Sequence, residues 1–533
     1  MNLINDPWIP VRRADNSRGR IRPAQIVGGE SPVVAFDAPR PDFNGALAQF
    51  LIGLLQTVAA PAHEDEWSDW LERPPTEAWL TARFATVAHA FNLDGDGPCF
   101  MQDLDPQMGG NAAQEWITSL LIDAPTSAAI KKGTDHFQKR ISIQGFCHHC
   151  TAMALFTLHT NAPAGGAGHR TSLRGGGPLT TLVAPNGEEE APIWSLLWLN
   201  VLEQPVFLAD WPPGSDRDWF PWLSETRTSK NGEVITAADA HPAMAYWAMP
   251  RRIRLDARGN EKMAHCDVCG QESTNLVTHF LSRPHGMNCS DWLHPLSPYY
   301  ADKQGLWLPT HPQPGGIGYR HWPDLITGRE GVSRPAKVVG RAMQRWEGTQ
   351  QLWSFGYDMD NMKARCWYEA RLPLLAVPNP EHREWVAGLA SKLVEAATVV
   401  KDALQDAVRS AWFSPHNKNR GDTGFLTLAF WQKTEADFYA LLWRCADALA
   451  LQNGVPEETH VEIMGTWHRV LCQGAVSLFD QWVTTVALEF EDPGRIARAH
   501  HQLQGRLHGP NLKEKVLGLS MPEGSAATRK RRK

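Results

Sequence analysis

Hydrophobic and polar positions divide the chain into two stretches of different rhythm. Up to residue 377, apolar runs are short and are broken every ten residues or so by Gly, Pro or polar positions, as in Trp194–Leu202 and Leu372–Val377. This pattern predicts strands and short helices joined by many loops. Phe43–Ala59 differs, because its apolar residues recur at helical spacing and predict a helix. Pro378-Asn379-Pro380 is a break, after which Trp385, Leu389, Leu393, Ala397, Val400, Leu404 and Val408 form one stripe of a long helix. A polar turn follows over Ser414–Gly424, then a second helix over Leu426–Leu451, a turn at Pro456 and a third helix over Val461–Leu488. Asp492-Pro493 reads as cap and first turn of a fourth helix reaching His508. Four helices with short connections read as an up-down bundle. The fold class is therefore α+β: a large irregular mixed α/β domain over 1–377, a four-helix bundle over 378–510 and a flexible basic tail over 511–533.

The length of 533 residues suits two or three domains rather than one core. With 43% apolar and 21% charged residues the composition is that of an ordinary globular protein. The formal charge is −6, from 52 basic and 58 acidic residues. Setting aside the five basic residues Arg529–Lys533 leaves 47 against 58, or −11. Bulk positive charge therefore does not drive nucleic-acid binding here, although local basic loops remain. No apolar run reaches the roughly 18 residues of a membrane span, and the start shows no signal-peptide pattern. A cytoplasmic location is expected. The 23 tryptophans against 7 tyrosines point to large apolar cores or interfaces.

The sequence lacks the phosphate-binding glycine loops, the H-E-x-x-H and G-x-S-x-G motifs and the kinase set, so no catalytic machinery is expected. Asn92, Asp94, Asp96, Gly97 and Asp103 partly match a calcium loop, but the twelfth position is Asp rather than Glu, and an Asp-Gly turn explains them. Cys147-His148-His149-Cys150 and Cys266-Asp267-Val268-Cys269-Gly270 carry the strongest chemistry. Two Cys-x-x-Cys pairs can supply four thiolates to a structural Zn²⁺, and Gly270 permits the tight turn of a zinc knuckle. Ordinary unligated cysteines, a redox pair at Cys147 and Cys150, and replacement of a sulfur by His148 or His149 are the competing readings.

Three loops suit polyanions. Lys131, Lys132, Phe137, Lys139 and Arg140 combine cations with one aromatic. Gly165-Gly166-Ala167-Gly168-His169-Arg170, followed by Leu173-Arg174-Gly175-Gly176-Gly177, would let backbone approach a groove or phosphate closely. Gly356–Lys363 is a short polar tip flanked by Met359 and Met362 between apolar runs.

Together these pieces resemble the CasA family, the large subunit of the type I-E CRISPR surveillance complex Cascade. The resemblance rests on Asn2-Leu3-Ile4-Asn5-Asp6-Pro7-Trp8-Ile9-Pro10-Val11, Pro98-Cys99-Phe100-Met101-Gln102, Leu173–Pro178 with Thr180-Thr181, and Cys269-Gly270-Gln271-Glu272-Ser273, in family order. It implies a non-catalytic subunit that reads a short duplex motif, the PAM, wedges the DNA open to start an R-loop and helps recruit a helicase–nuclease, while a guide RNA reads the target. The implied partners are the guide RNA, double-stranded target DNA, the other Cascade subunits and that nuclease, with no membrane and no homo-oligomer. By the same resemblance Lys131, Lys132, Phe137, Lys139 and Arg140 would contact the guide RNA. Ala164, Gly165, Gly166 and Ala167 would face the PAM minor groove. Met359, Asp360, Asn361 and Met362 would form the wedge. Arg283 is the cation nearest the place of the family's lysine finger, for which this chain has no matching lysine. The cysteines match zinc-binding members. Two other classes stand beside this one: a redox or metal-dependent enzyme using Cys147 and Cys150, and a protein-binding scaffold without DNA contact.

Overall fold

The computed structural model describes residues 1–105, 112–125, 143–166, 168–186, 191–256, 263–345, 348–360, 362–377, 379–413, 421–451, 454–484 and 492–519. The chain divides into two compact units. The first holds Met1–Gln313, Gly331–Ala342 and Gln350–Arg371; the second holds Pro314–Glu330, Met343–Thr349 and the chain from Leu372 on.

The first unit is organised around helix α1 (Pro41–Val58), which opens with proline in its first turn and Asp42 beside it. Apolar residues surround most of its circumference, so it is a central helix rather than a surface one. Phe50 lies at the centre, with the rings of Trp8, Phe91, Phe100, Phe156 and Trp247 edge-on at 5.3–5.9 Å. Edge-to-face packing of this kind is favoured by the ring quadrupoles. Helix α2 (His148–Asn161) packs on α1 and is buried along nearly its whole length.

The strands are short and gather into small antiparallel sheets. Strand β1 (Ile9–Arg13) lies between β2 (Arg18–Ile21) and β3 (Val33–Phe36). A second sheet places β9 (His279–Arg283) between β4 (Ala113–Trp116) and β6 (Arg252–Leu255). Strands β7 (Ala264–His265) and β8 (Glu272–Ser273) form a small hairpin. Strand β10 (Tyr299–Ala301) is flanked by β11 (Trp307–Pro309) and β12 (Ser333–Arg334). The longest pair is the hairpin of β13 (Gly348–Asp360) and β14 (Lys363–Ala376). Its β13 pairs with β5 (Thr180–Ala184) in the register Gln351 to Ala184 through Phe355 to Thr180.

The second unit is helical. Asn379 caps α3 (Pro380–Trp412), accepting from the amides of Glu381 and His382 at 2.9 and 3.3 Å. α3 packs on α4 (Gly424–Leu451), α5 (Glu457–Phe479) and α6 (Pro493–Leu507), and α4 also packs on α5. The buried stripe of α3 is rich in alanine (Ala390, Ala396, Ala397, Ala403, Ala407, Ala411), which lets neighbours approach closely. Asp492 caps α6 by accepting from Arg495 N at 2.9 Å. Tyr319, far upstream, joins this core: its ring lies 4.5 Å from that of Phe438, and its hydroxyl is 2.8 Å from Thr434 Oγ1.

Three details depart from the expected pattern. Trp385 is 46% exposed and Val386 fills the stripe instead, because Trp385 lies at the flank of the helix beside the His460 ring. The third helix ends as regular α-helix at Phe479 and widens into a π turn over Asp480–Thr484. Residues 485–491 lie outside the described residues. Beyond Pro510 the chain continues as a helical turn, Asn511–Val516, with Leu512 and Leu517 buried; these two leucines pack instead of trailing in solvent. The basic end, 520–533, lies outside the described residues.

Candidate metal centre and nucleic-acid interface

The two Cys-x-x-Cys pairs meet. The ligand atoms of Cys147, Cys150, Cys266 and Cys269 all lie within 4.8 Å of one another. Cys147 is the N-cap residue of α2 and Cys150 sits in its first turn. Cys266 and Cys269 occupy the turn between β7 and β8, where the Gly270 amide donates to Cys266 O at 2.8 Å and Gly270 takes φ +72°. That left-handed backbone is what glycine supplies at this position. The carboxylate of Asp267 accepts from the amides of Gln144 and Gly145 at 2.6 and 2.8 Å, tying the second pair to the approach of the first. Phe146 and Val277 exchange both backbone hydrogen bonds at 2.8–3.0 Å.

The site fits zinc. Tetrahedral Zn–S bonds of about 2.3 Å place neighbouring sulfurs about 3.8 Å apart. Cys147 Sγ and Cys269 Sγ are 3.8 Å apart, a separation far too long for a disulfide. All four thiols are free, and three of them are buried. Hydrogen bonding from Cys147, then from Cys150, pulls the Cys269 thiol down to about 6 and lowers that of Cys266 as well. The Cys147 contact raises Cys150 in return. The second pair thus holds thiolate character at neutral pH; Cys147, which its contact to Cys150 lowers but those to Cys266 and Cys269 raise by more, and Cys150 stay protonated and would give up their protons to a metal. His148 and His149 are not part of the four-atom group; burial lowers both, His149 to about 4. A redox pair would not need the second hairpin brought against it. Two carboxylates of the calcium-like stretch are engaged otherwise: Asp94 takes the N-terminal ammonium at 2.7 Å, and Asp103 takes the Arg252 guanidinium.

The glycine segment is an exposed turn. Ala164, Gly165 and Gly166 are exposed, Gly165 N donates to His169 O at 3.1 Å, and His169 N donates to Gly166 O at 2.8 Å. A Cβ on Gly165 would lie 2.5 Å from His169 Cβ, so that position is small for internal reasons. Gly166 takes φ +66° with nothing within 4 Å of an added Cβ. Beneath the turn, Arg251 donates to Pro163 O at 2.5 Å. Ala167 lies outside the described residues.

The predicted wedge is the end of the β13–β14 hairpin. Asp360 and Met362 are exposed, and Met359 is half-buried. Asn361 lies outside the described residues. Arg365 braces the tip from the opposite strand, 2.6 Å from Asp358 and 3.8 Å from Asp360. Below it, Tyr357 donates to Asp42 at 2.6 Å, and Arg40 holds Asp42 at 3.0 Å and Asp123 at 2.9 Å. The hairpin is therefore anchored to the start of α1.

The run Leu173–Pro178 joins turn and hairpin. Ser172 N and Gly177 N donate to Ala162 O and Asn161 O at 2.9 and 3.1 Å. A Cβ on Gly176 would lie 2.9 Å from Pro163 Cα, and one on Gly177 would lie 2.7 Å from Tyr357 O and 2.9 Å from Met359 Cε. On Gly356 it would lie 2.6 Å from Pro178 O. These glycines are needed for backbone-to-backbone contact within the unit, not for a ligand.

Arg283 sits at the end of β9, opposite Arg252, with its guanidinium 3.3 Å from Asp105, which also takes Arg252 at 2.6 Å. Two residues on, His285 N donates to Gly168 O at 2.8 Å, so this strand end runs beside the glycine turn. Lys131, Lys132, Phe137, Lys139 and Arg140 lie outside the described residues. Their segment returns to the described chain at Ile143, whose carbonyl accepts from Thr118 Oγ1 at 2.7 Å, immediately before the Asp267 contacts. Sequence reasoning missed Asp267, Asp42 and Arg40. Asp267 had one usable signal, a carboxylate inside a Cys-x-x-Cys pair.

Comparison with known proteins agrees with this architecture. Residues 2–478 match the family described as CRISPR-associated protein Cse1. The chain is similar to Thermobifida fusca Cse1, at 16% identity and TM-score 0.68, over 98% of this chain and 99% of that one. It is similar to Thermus thermophilus CasA (Cse1), at 16% identity and TM-score 0.65, over 97% and 99%. A chain of a structure described as a CRISPR RNA-guided surveillance complex matches at 14% identity and TM-score 0.65, over 96% and 99%. Among the described residues no helix is long and apolar enough to cross a membrane.

Proposed function

The chain belongs to the CRISPR-associated protein Cse1 family, and on that premise we propose that it is the non-catalytic subunit through which an RNA-guided surveillance complex reads and opens duplex DNA. The observation that carries this reading is the shared footing of two exposed features. The residues leading into the Ala164–Gly166 turn (Asn161–Pro163) and the strand leading to the hairpin tip (Gly356–Met359) both rest on Ser172–Pro178, so a duplex held by one feature would be held in a fixed relation to the other. The turn, bare of side chains at its crest, fits a minor groove, where the code is degenerate and several short motifs would be accepted. The tip, a polar end flanked by methionines on a braced hairpin, suits insertion beneath the motif, paying unstacking with apolar contact. Arg283 would add a cation beside the turn. Reaching a phosphate would require it to share or leave Asp105.

A zinc ion would be held by Cys147, Cys150, Cys266 and Cys269 and would supply structure rather than chemistry, since four thiolates leave no open position. Its own residues clip β7–β8 to the start of α2 and fix the root of the segment carrying Lys131, Lys132, Phe137, Lys139 and Arg140, the proposed contacts to the 5′ end of the guide RNA. The remaining complex subunits, the target duplex and a recruited helicase–nuclease are the partners of this reading, and defence against invading DNA is its purpose.

The test is duplex opening by the guide-loaded complex. Alanine at Asp360 and Met362 together should slow opening of a motif-bearing duplex while leaving binding to a pre-opened target intact. Equal loss on both substrates would remove the wedge role.

A further inference from the structure

Arg174 belongs to the glycine-rich run yet points inward and is only 3% exposed. Its Nη1 donates to Thr180 Oγ1 and Ser297 Oγ, each at 3.0 Å, and its Nη2 donates to Gln49 Oε1. All three acceptors are neutral. Among the described residues no carboxylate pairs with this guanidinium. Burial pulls it down to about 10, which still leaves it charged at neutral pH. A buried cation without a counter-charge is costly, and such a group is ordinarily paired.

Arg174 lines a small cavity together with Gln49, His159, Ser172, Tyr246 and His294. The space open to the centre of a water-sized sphere is about 10 Å³, room for one atom-sized guest. Tyr246 is 3% exposed, and its hydroxyl has no hydrogen-bond partner. His294 accepts from Leu296 N at its Nδ1, so its ring proton is on Nε2, and its ring centre lies 5.0 Å from that of Tyr246. The other polar groups are engaged: Gln49 Nε2 donates to Gly45 O, and Ser172 Oγ to Gly175 O. The wall therefore offers a cation, a phenol O–H and an imidazole N–H. One lone pair opposes them, the unpartnered Nδ1 of His159, whose Nε2 donates to Met101 O at 3.0 Å.

We infer that this cavity is a monoatomic-anion site, taking chloride from solution as the counter-charge of Arg174, with the Tyr246 hydroxyl and the His294 Nε2–H as further donors. The volume excludes phosphate, carboxylates and nucleotides. A water molecule would also fill the space and would use the His159 lone pair, but it would leave the guanidinium without a counter-ion. The site is independent of the DNA-reading role and concerns the stability of the unit on which turn and hairpin rest.

The test uses the full chain. In crystals grown with bromide in place of chloride, an anomalous peak is expected between Arg174, Tyr246 and His294. In solution, at constant ionic strength, the unfolding midpoint should rise saturably as gluconate is replaced by chloride or bromide. Tyr246→Phe should raise the halide concentration needed for half of that rise about tenfold, and Arg174→Met should abolish the rise. A peak-free cavity holding only water, or an identical halide response in wild type and Tyr246→Phe, would overturn the assignment. If Arg174→Met does not fold, Tyr246→Phe and the bromide crystals decide the matter.

Discussion

Asparagine at position 166 separates two reasons for a glycine. Gly166 sits at φ +66°, a conformation that costs most side chains about 1–2 kcal/mol but that asparagine tolerates. An added Cβ there meets nothing within 4 Å, so the free protein has no steric objection. Gly166→Asn should therefore leave the unfolding midpoint within about 2 °C of wild type. Bound DNA would feel it differently. A carboxamide on the crest of the turn would hold a groove back by about 3 Å, beyond hydrogen-bond reach. The expected loss in motif-dependent duplex affinity is about tenfold to a hundredfold, ~1.4–2.8 kcal/mol. Gly165→Ala is the contrasting control: its Cβ would crowd His169 Cβ at 2.5 Å, so it should disturb the turn with or without DNA. The assay is equilibrium binding of the guide-loaded complex to a motif-bearing duplex and to a duplex without the motif, at fixed salt. Wild-type affinity in Gly166→Asn would refute the claim that the crest of the turn approaches DNA.

Serine at Cys266 and Cys269 should take the purified chain from one zinc per chain to none and destabilise it by about 4 kcal/mol or more, as loss of a structural metal does; metal analysis and denaturant titration would check both. Tyr357→Phe removes the 2.6 Å bond to buried Asp42 and should cost about 1–2 kcal/mol in urea unfolding, with slower duplex opening because the hairpin loses its anchor. His159 is buried and held neutral, its value pushed by burial down to about 3 from an ordinary 6.5. The unfolded chain therefore takes up its proton first, and stability should fall as pH drops from about 6.5 towards 3. His159→Gln should flatten that decline in pH-dependent unfolding.

Much of the helical unit was legible because helices announce their ends. Asn379 and Asp492 each precede a proline, and both act as caps. The four-cysteine cluster was legible because two short spacings each point two sulfurs one way. The small sheets were not. β4, β6 and β9 have four or five residues each, too few for alternation to show, and β4 pairs with β9 across more than a hundred and sixty positions. Tyr319 reads as loop from its neighbours, and its place against Phe438 and Thr434 is a tertiary fact. The landmark motifs carried the family but hid their reasons. Trp8 and Phe100 build the core around Phe50, Gln102 bridges Leu93 O and Leu255 N, and Gly176 and Gly177 serve chain-on-chain packing. Among the described residues, the exposed turn and hairpin end are not taken up by these packing roles.

The most direct test of that account is a duplex-binding selection by the reconstituted guide-RNA complex, with and without this chain, on targets whose flanking sequence is randomised. The account predicts that the chain confers preference for a few flanking sequences, and that Gly166→Asn weakens that preference. Identical enrichment with and without the chain would contradict it.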